Sequence, residues 1–273
     1  MADELSPYVE WGTHAELAGE FSADYWNDPC EEEKKMEFQV SGGDVRGIER
    51  YLFARRGLGT QLRAATEQAT RRGWPVQGIG VDIAAGVCWG AAMLSKRADV
   101  AKVYAVDLSS NRLRFVAPNV IQGLKGDPQK IVRVHGSFYA LQLPSESVNF
   151  CLMAQAFHHA QDPIALLAEV RRVLCAGGLL ILIGETPVNP LGILHRWGRN
   201  QIKRFLPRRF YRTPPIARWL PNFTELFPPD PVLGDHFYRW EDYDRFLTRS
   251  GFEMFLKRDP SGPLFLARKR GAG

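Results

Sequence analysis

The chain has 273 residues, 45% of them hydrophobic and 24% charged, the makeup of a globular protein large enough to bury its own core without disulfides or metals. No run of about 18 apolar residues occurs, so no membrane-spanning helix is expected, and the acidic start MADELSPYVEW lacks the apolar stretch of a secretory signal. The net charge of +5 sits in one segment: between Glu185 and Glu225 lie Arg196, Arg199, Lys203, Arg204, Arg208, Arg209, Arg212 and Arg218 and no acid, which leaves the rest acidic on balance.

In chain order, residues 1–43 read as irregular and aromatic, with Tyr8, Trp11, Phe21, Tyr25 and Trp26. Asp44 can cap a helix carrying Ile48, Leu52 and Phe53 on one side, interrupted by Gly57 and Gly59. A second helix, TQLRAATEQATRR, ends at Gly73. From residue 77 the rhythm becomes strand, helix, strand: QGIGVDI, then helical WGAAMLSKR, then KVYAVDL. The stretch SSNRLRFVAPNVIQG predicts a helix capped by Ser109 or Ser110 and broken near Pro118. KIVRVHG and SVNFCLMAQA are the third and fourth strands. DPIALLAEVRRVL is an amphipathic helix with Asp162 as cap and Pro163 at its first position. Cys175 to Gly178 reads as a turn before a fifth strand, LLILIGE.

Residues 186–235 break this rhythm with nine prolines. Within them LGILHRWGRNQIKRFL predicts an amphipathic helix, with Leu194, Trp197, Ile202 and Phe205 on one face and the basic residues on the other. A last helix, WEDYDRFLTRSG, precedes two strands joined by Asp-Pro-Ser-Gly, an antiparallel hairpin. The pattern predicts a doubly wound α/β fold around a mostly parallel seven-stranded sheet. Its expected divisions are a helical N-terminal cap (1–74), a core (75–185), a basic lid insertion (186–237) and a closing helix with two strands (238–273).

Cys30, Cys88, Cys151 and Cys175 form no C-x-x-C pair, and no histidine cluster has zinc spacing, so no metal is expected. Free thiols suit a reducing cytoplasm.

Ligands of open α/β sheets lie beyond the carboxyl ends of the strands. The first strand ends in the small-residue run Asp82-Ile83-Ala84-Ala85-Gly86-Val87-Cys88, which lets a ligand approach the backbone. The second ends at Asp107, placed to take both hydroxyls of a ribose.

VDIAAGVCWGA, then VYAVDLS, then the continuous stretch LPSESVNFCLMAQAFHHAQDPIALLAEVRRVLCAGGLLILIGE resemble, in order and spacing, the class I S-adenosylmethionine (SAM)-dependent methyltransferases. The resemblance covers roughly residues 75–185 and 238–270. It implies a Rossmann-like fold, SAM as cofactor and S-adenosylhomocysteine as product. Carried over, it places Asp82, Ala84 and Gly86 beside the methionine end, and Asp107 at the ribose. Leu108, Ser137 and Phe138 would border the adenine. Backbone of Gln155 and Ala156 would lie near the methionine amino group, and Tyr25 and Trp26 would close the site from the N-terminal cap. The sequence departs from the family pattern in two places. Ala84 and Cys88 stand where the glycine-rich turn has glycine, and Ser137 stands where an acid often meets the adenine.

A hydroxyl acceptor needs its proton removed, which suits a histidine. His159 and His158 after the fourth strand, and Glu185 at the end of the fifth, are the candidate catalytic residues. Tyr139 is a weaker candidate. Arg196, Arg199, His236 and Tyr238 are candidates for binding substrate. The basic insertion admits four readings: an anionic small substrate, an anionic membrane surface, a nucleic acid backbone, or a solvated lid. Its short span and the lack of a nucleic-acid motif favour the small substrate. The expected activity is O-methylation of a sugar-like, lipid-linked or specialised-metabolite acceptor. C- or N-methylation, or binding without turnover, remain alternatives.

Overall fold

The computed structural model describes residues 6–12, 14–17, 26, 45–55, 57–211, 213–259 and 262–271. Its strands are β1 (Tyr8–Glu10), β2 (Gly78–Ile83), β3 (Val100–Asp107), β4 (Ile131–His135), β5 (Val148–Ala154), β6 (Leu174–Ile183), β7 (Phe252–Asp259) and β8 (Gly262–Lys269). They form one eight-stranded sheet in the order β1-β4-β3-β2-β5-β6-β8-β7. Pairing is parallel from β1 through β6 and antiparallel at β6–β8 and β7–β8. The strand order reverses between β2 and β5, and that is where a crevice for a ligand opens.

The helices are α1 (His14–Leu17), α2 (Val45–Glu49), α3 (Leu58–Arg71), α4 (Trp89–Ser95), α5 (Ala117–Gly123), α6 (Pro163–Val173), α7 (Pro190–Phe205), α8 (Phe223–Leu226) and α9 (Trp240–Arg249). Helices α2 to α5 pack on one face of the sheet. Helices α6 and α9 pack on the other. Strand alternation divides the core accordingly. Phe150 and Leu152 of β5, and Ile181 and Ile183 of β6, face the first layer. Cys151, Met153, Leu180 and Leu182 face the second.

Several local expectations hold for the reasons given. The Asp162 carboxylate accepts the N–H groups of Ile164 and Ala165, both at 2.9 Å, and so starts α6. Ser109 Oγ accepts the Arg112 N–H at 3.2 Å. The chain then makes a π turn over Arg112–Val116 before α5, whose first turn takes Pro118 without losing a hydrogen bond.

Four features differ from expectation. The N-terminal stretch read as irregular supplies β1, an eighth strand at the sheet edge. It is tied down by the buried Arg133 of β4, whose guanidinium donates to the Ser6 and Leu113 carbonyls. Three residues carry too little periodicity to announce a strand; a buried cation in search of carbonyl acceptors anchors it. Gly59 does not interrupt a helix but lies inside α3, where a Cβ would come within 2.5 Å of the Phe53 ring. Gly57, with φ of 67°, is the true break. Third, Cys175 to Gly178 is no turn: β6 begins at Leu174 and absorbs these residues in a register shift against β5.

The fourth concerns α7. Leu194, Ile202 and Phe205 do share a face, but it points to solvent, and Trp197 lies on the other side. The inward positions are polar. Asn200 Oδ1 accepts the Ile216 N–H at 2.9 Å, Gln201 Nε2 donates to the Trp219 carbonyl at 2.9 Å, and Arg204 donates to the Ile216 and Ala217 carbonyls. A proline-rich segment leaves its backbone groups without a ladder, and α7 turns polar side chains inward to satisfy them.

Among the described residues no helix is long and apolar enough to cross a membrane. Cys88 and Cys151 are buried free thiols, Cys175 is a half-buried one, and Cys30 lies outside the described residues.

Candidate active site

The turn after β2 has left-handed backbone at all three places where glycine was expected: φ is 52° at Ala84, 55° at Gly86 and 61° at Cys88. The glycine-like path is therefore kept although only the middle place holds glycine, at a cost of about 1 kcal/mol or more for each Cβ held there. Cys88 recovers part of this by burial in the core. Ala84 is only half-buried, so Ala84→Gly is expected to raise the unfolding free energy by up to about 1 kcal/mol. Unchanged or lower stability in chemical denaturation would show that the strain is relieved some other way.

Two carboxylates order this turn. Asp82 is buried, and its Oδ2 accepts the Ala91 N–H at 2.8 Å in the first turn of α4. Gly90 makes this approach possible, since a Cβ there would lie 2.7 Å from both Asp82 Oδ2 and Leu152 Cδ2. Asp107 Oδ2 accepts the Gly86 N–H at 2.7 Å, and its Oδ1 accepts the Ser109 N–H at 2.8 Å. Each Asp107 oxygen keeps a further lone pair for a hydroxyl.

Burial pushes Asp82 up from 3.8 to about 7, with the Ala91 amide opposing and Asp107 adding to the rise. The folded chain thus holds a proton that the unfolded chain has already released. Stability contributed at low pH is lost as pH climbs from about 4 towards 7, at roughly 1.4 kcal/mol per unit of pH. Denaturation followed across that window should show this slope, and Asp82→Asn should flatten it. An equal slope in the variant would mean that other groups cause it.

Beyond β4, Ser137 Oγ accepts the Tyr139 N–H at 3.0 Å and keeps its own proton to donate. Phe138 packs edge-on to Tyr139, 4.7 Å between centroids. Tyr139 is occupied in structure, its hydroxyl accepting the Asp162 N–H at 2.9 Å. Leu108 follows β3 directly and is half-buried. Gln155 has a left-handed φ of 55°. Its N–H goes to the Ile183 carbonyl, and that of Ala156 goes to Glu185, so carbonyls are what these residues can offer a cationic amine.

Glu185 was expected at the rim, orienting or deprotonating substrate, but it is fully buried. Its Oε1 accepts the N–H groups of Ala156 (3.0 Å) and Phe157 (3.1 Å). Its Oε2 accepts the Tyr243 hydroxyl at 2.8 Å and meets His158 Nδ1 at 3.0 Å. Burial would raise the Glu185 carboxyl, but His158, Tyr243 and the amide hold it low. Burial would lower His158, but Glu185 and then Asp235 lift it above its ordinary value. The pair is a positioning device built around the turn after β5. Tyr243 and Asp235 were not singled out from the sequence, because their roles depend on contacts across long separations.

His159 stands differently. Its Nδ1 lies 2.8 Å from Asp235 Oδ1, an ion-pair distance between two buried atoms that are out of line for a full hydrogen bond. The ring meets Trp26 edge-on at 5.6 Å, and Arg112 lies 4.7 Å over the same indole. Trp26 therefore bridges the Asp107 side of the crevice and the histidine side; Tyr25 lies outside the described residues. Burial raises Asp235, but His159, His158 and His236 together hold it low.

The insertion returns to this place. The His236 N–H donates to the His158 carbonyl at 2.8 Å, and the Val188 N–H donates to the Tyr238 carbonyl at 2.8 Å. His236 stacks on Tyr238 at 5.9 Å. Both line a cleft of about 290 Å³, with Phe223, Phe227 and Phe246. Arg196 is exposed, its guanidinium 4.6 Å over Phe227, and Arg199 is exposed as well.

Strand order, the left-handed turn after β2 and the carboxylate ending β3 together define a Rossmann-like domain. Residues 81–182 match the family described as methyltransferase domain, so the chain carries a methyltransferase domain, and SAM is the cofactor of that family. Solved structures share the fold. A provisionally assigned methyltransferase of Bacillus halodurans is 17% identical, with 78% of this chain and 99% of that one covered at a TM-score of 0.52. A SAM-dependent methyltransferase of Methanosarcina mazei is 19% identical, with 74% and 98% covered at 0.51. A provisionally assigned SAM-dependent methyltransferase of Methanococcus maripaludis is 15% identical, with 87% and 99% covered at 0.51. No curated protein matches the sequence.

The residues present fit that cofactor. A Cβ at Gly86 would have no neighbour nearer than 3.8 Å, so the turn is open at the backbone. Among the described residues Asp82 is a buried carboxyl group without an ion-pair partner, and Asp107 has acceptor capacity to spare.

Proposed function

We propose that the chain transfers a methyl group from SAM to a hydroxyl of a small-molecule acceptor. The cofactor supplies a methyl group activated on a sulfonium. Asp107 would hold the ribose hydroxyls, Asp82 the methionine end with Ala84 and Gly86, and Leu108, Ser137 and Phe138 the adenine. His159 takes the acceptor proton, and Asp235 stabilises the imidazolium that results. His158, locked by Glu185, fixes the turn that carries His159. Trp26 closes the crevice over both halves and keeps water from the reacting oxygen.

The observation that carries this reading is the His159–Asp235 pair beside Trp26, at the carboxyl edge of the sheet. Residues 186–237 would form the acceptor lid, with His236 and Tyr238 lining its cleft and Arg196 and Arg199 nearby for an acceptor with negative charge. A reducing cytoplasm suits the free thiols of Cys88, Cys151 and Cys175. The test is transfer of isotopically labelled methyl from SAM to a panel of sugar, lipid-linked and aromatic alcohols. An O-methylated product is expected. An N- or C-methylated product, or cofactor binding with no transfer to any of them, would contradict it.

One observation favours a second reading. Single ligand atoms of His158, His159 and Asp235 lie within 4.8 Å of one another. A divalent ion held there would lower the pKa of the acceptor hydroxyl in place of a histidine base. Turnover abolished by a chelator and restored by zinc or manganese would select this reading; turnover indifferent to chelation would select the base.

A further inference from the structure

The outer side of α7 is not built like the surface of a lone soluble domain. Leu191, Leu194, Ile202 and Phe205 recur at helical spacing on it and are between 59% and 78% exposed. Leu206, which follows α7 directly, and Phe210 beyond it are exposed as well. Arg196, Arg199, Arg208, Arg209 and Arg218 are exposed in the same stretch, which has no acid from residue 186 to 224. Lone domains rarely leave so much apolar surface contiguous. Nor can α7 turn the stripe inward, since Asn200, Gln201 and Arg204 are spent on the backbone of residues 216–219.

We infer that the outer face of α7 docks in the plane of an anionic lipid surface. The charge pattern names the occupant. A second copy would set one row of arginines against another. A nucleic acid would meet the cations but gain nothing from Leu191, Leu194 and Ile202. A bilayer of anionic lipid satisfies both: apolar side chains enter the acyl boundary while arginines stay among the headgroups. The consequence for catalysis rests on the proposed reaction. The insertion's far end returns to His158 through His236, so docking would hold the crevice beside the bilayer and admit a lipid-linked alcohol.

The experiment is co-sedimentation of the full chain with vesicles of phosphatidylcholine alone and mixed with phosphatidylglycerol, without cofactor or acceptor. Failure of the proposed methyl transfer would leave this readout untouched. Binding to the mixed vesicles is expected, about tenfold or more tighter than to neutral ones, as several arginines each contribute about fivefold. The double variant Leu194→Glu, Phe205→Glu should lose about tenfold or more per site. Both side chains are exposed, so its fold, checked by circular dichroism, should persist. Equal binding to the two vesicle types, or partition unchanged in the double variant, would overturn the inference. So would tighter binding to an oligonucleotide that the double variant retains in full.

Discussion

Glu185→Ala is expected to cost about 3 to 5 kcal/mol of folding stability, the largest effect of any single substitution considered. The carboxylate is fully buried and serves four partners: two backbone amides, the Tyr243 hydroxyl and His158. Alanine would leave all four without this acceptor in a site closed to water, and a raised His158 would lose the anion that stabilises its charge. Glu185→Gln keeps one oxygen for the amides and should cost less than about 2 kcal/mol. Denaturant unfolding of the two variants separates the cases. A loss below about 1 kcal/mol for alanine would mean that the network relaxes or takes in water.

His159→Ala is expected to lower turnover by about 10² to 10⁴-fold, the range in which a positioned general base contributes. Cofactor affinity should be spared, since among the described residues His159 reaches the Asp107 side through Trp26. Asp235→Asn should reduce turnover less, because the imidazole remains and loses only the charge beside it. Single-turnover rates with saturating SAM measure this directly. Undiminished turnover in His159→Ala would remove the residue from the reaction.

The strand–helix alternation was legible because long, regular elements announce themselves. β5 and β6 carry uninterrupted apolar runs, and α6 advertises its start with Asp162 and Pro163. β1 was not legible, being three residues held by Arg133 reaching the Ser6 carbonyl. Asp107 could be found because its place after a strand and a small-residue turn is a local pattern. Asp235 and Tyr243 could not, since each meets its partner across a long stretch of chain. Glu185 was found but its burial was not, because a strand-end acid reads as solvated until α9 is seen to cover it. On α7 the periodicity was right and the direction was wrong. Helical spacing tells which residues share a face; the backbone needs of a proline-rich neighbour decided which face turned inward.

The turn at Ala84–Cys88 and the Asp107 carboxylate are proposed to form a working SAM site. Calorimetric titration of SAM and of S-adenosylhomocysteine into the full chain, with Asp107→Ala alongside, tests it most directly. Saturable binding of both is expected, weakened about 100-fold or more in the variant by loss of two charge-assisted hydrogen bonds. Absence of saturable binding, or equal affinity in the variant, would contradict it.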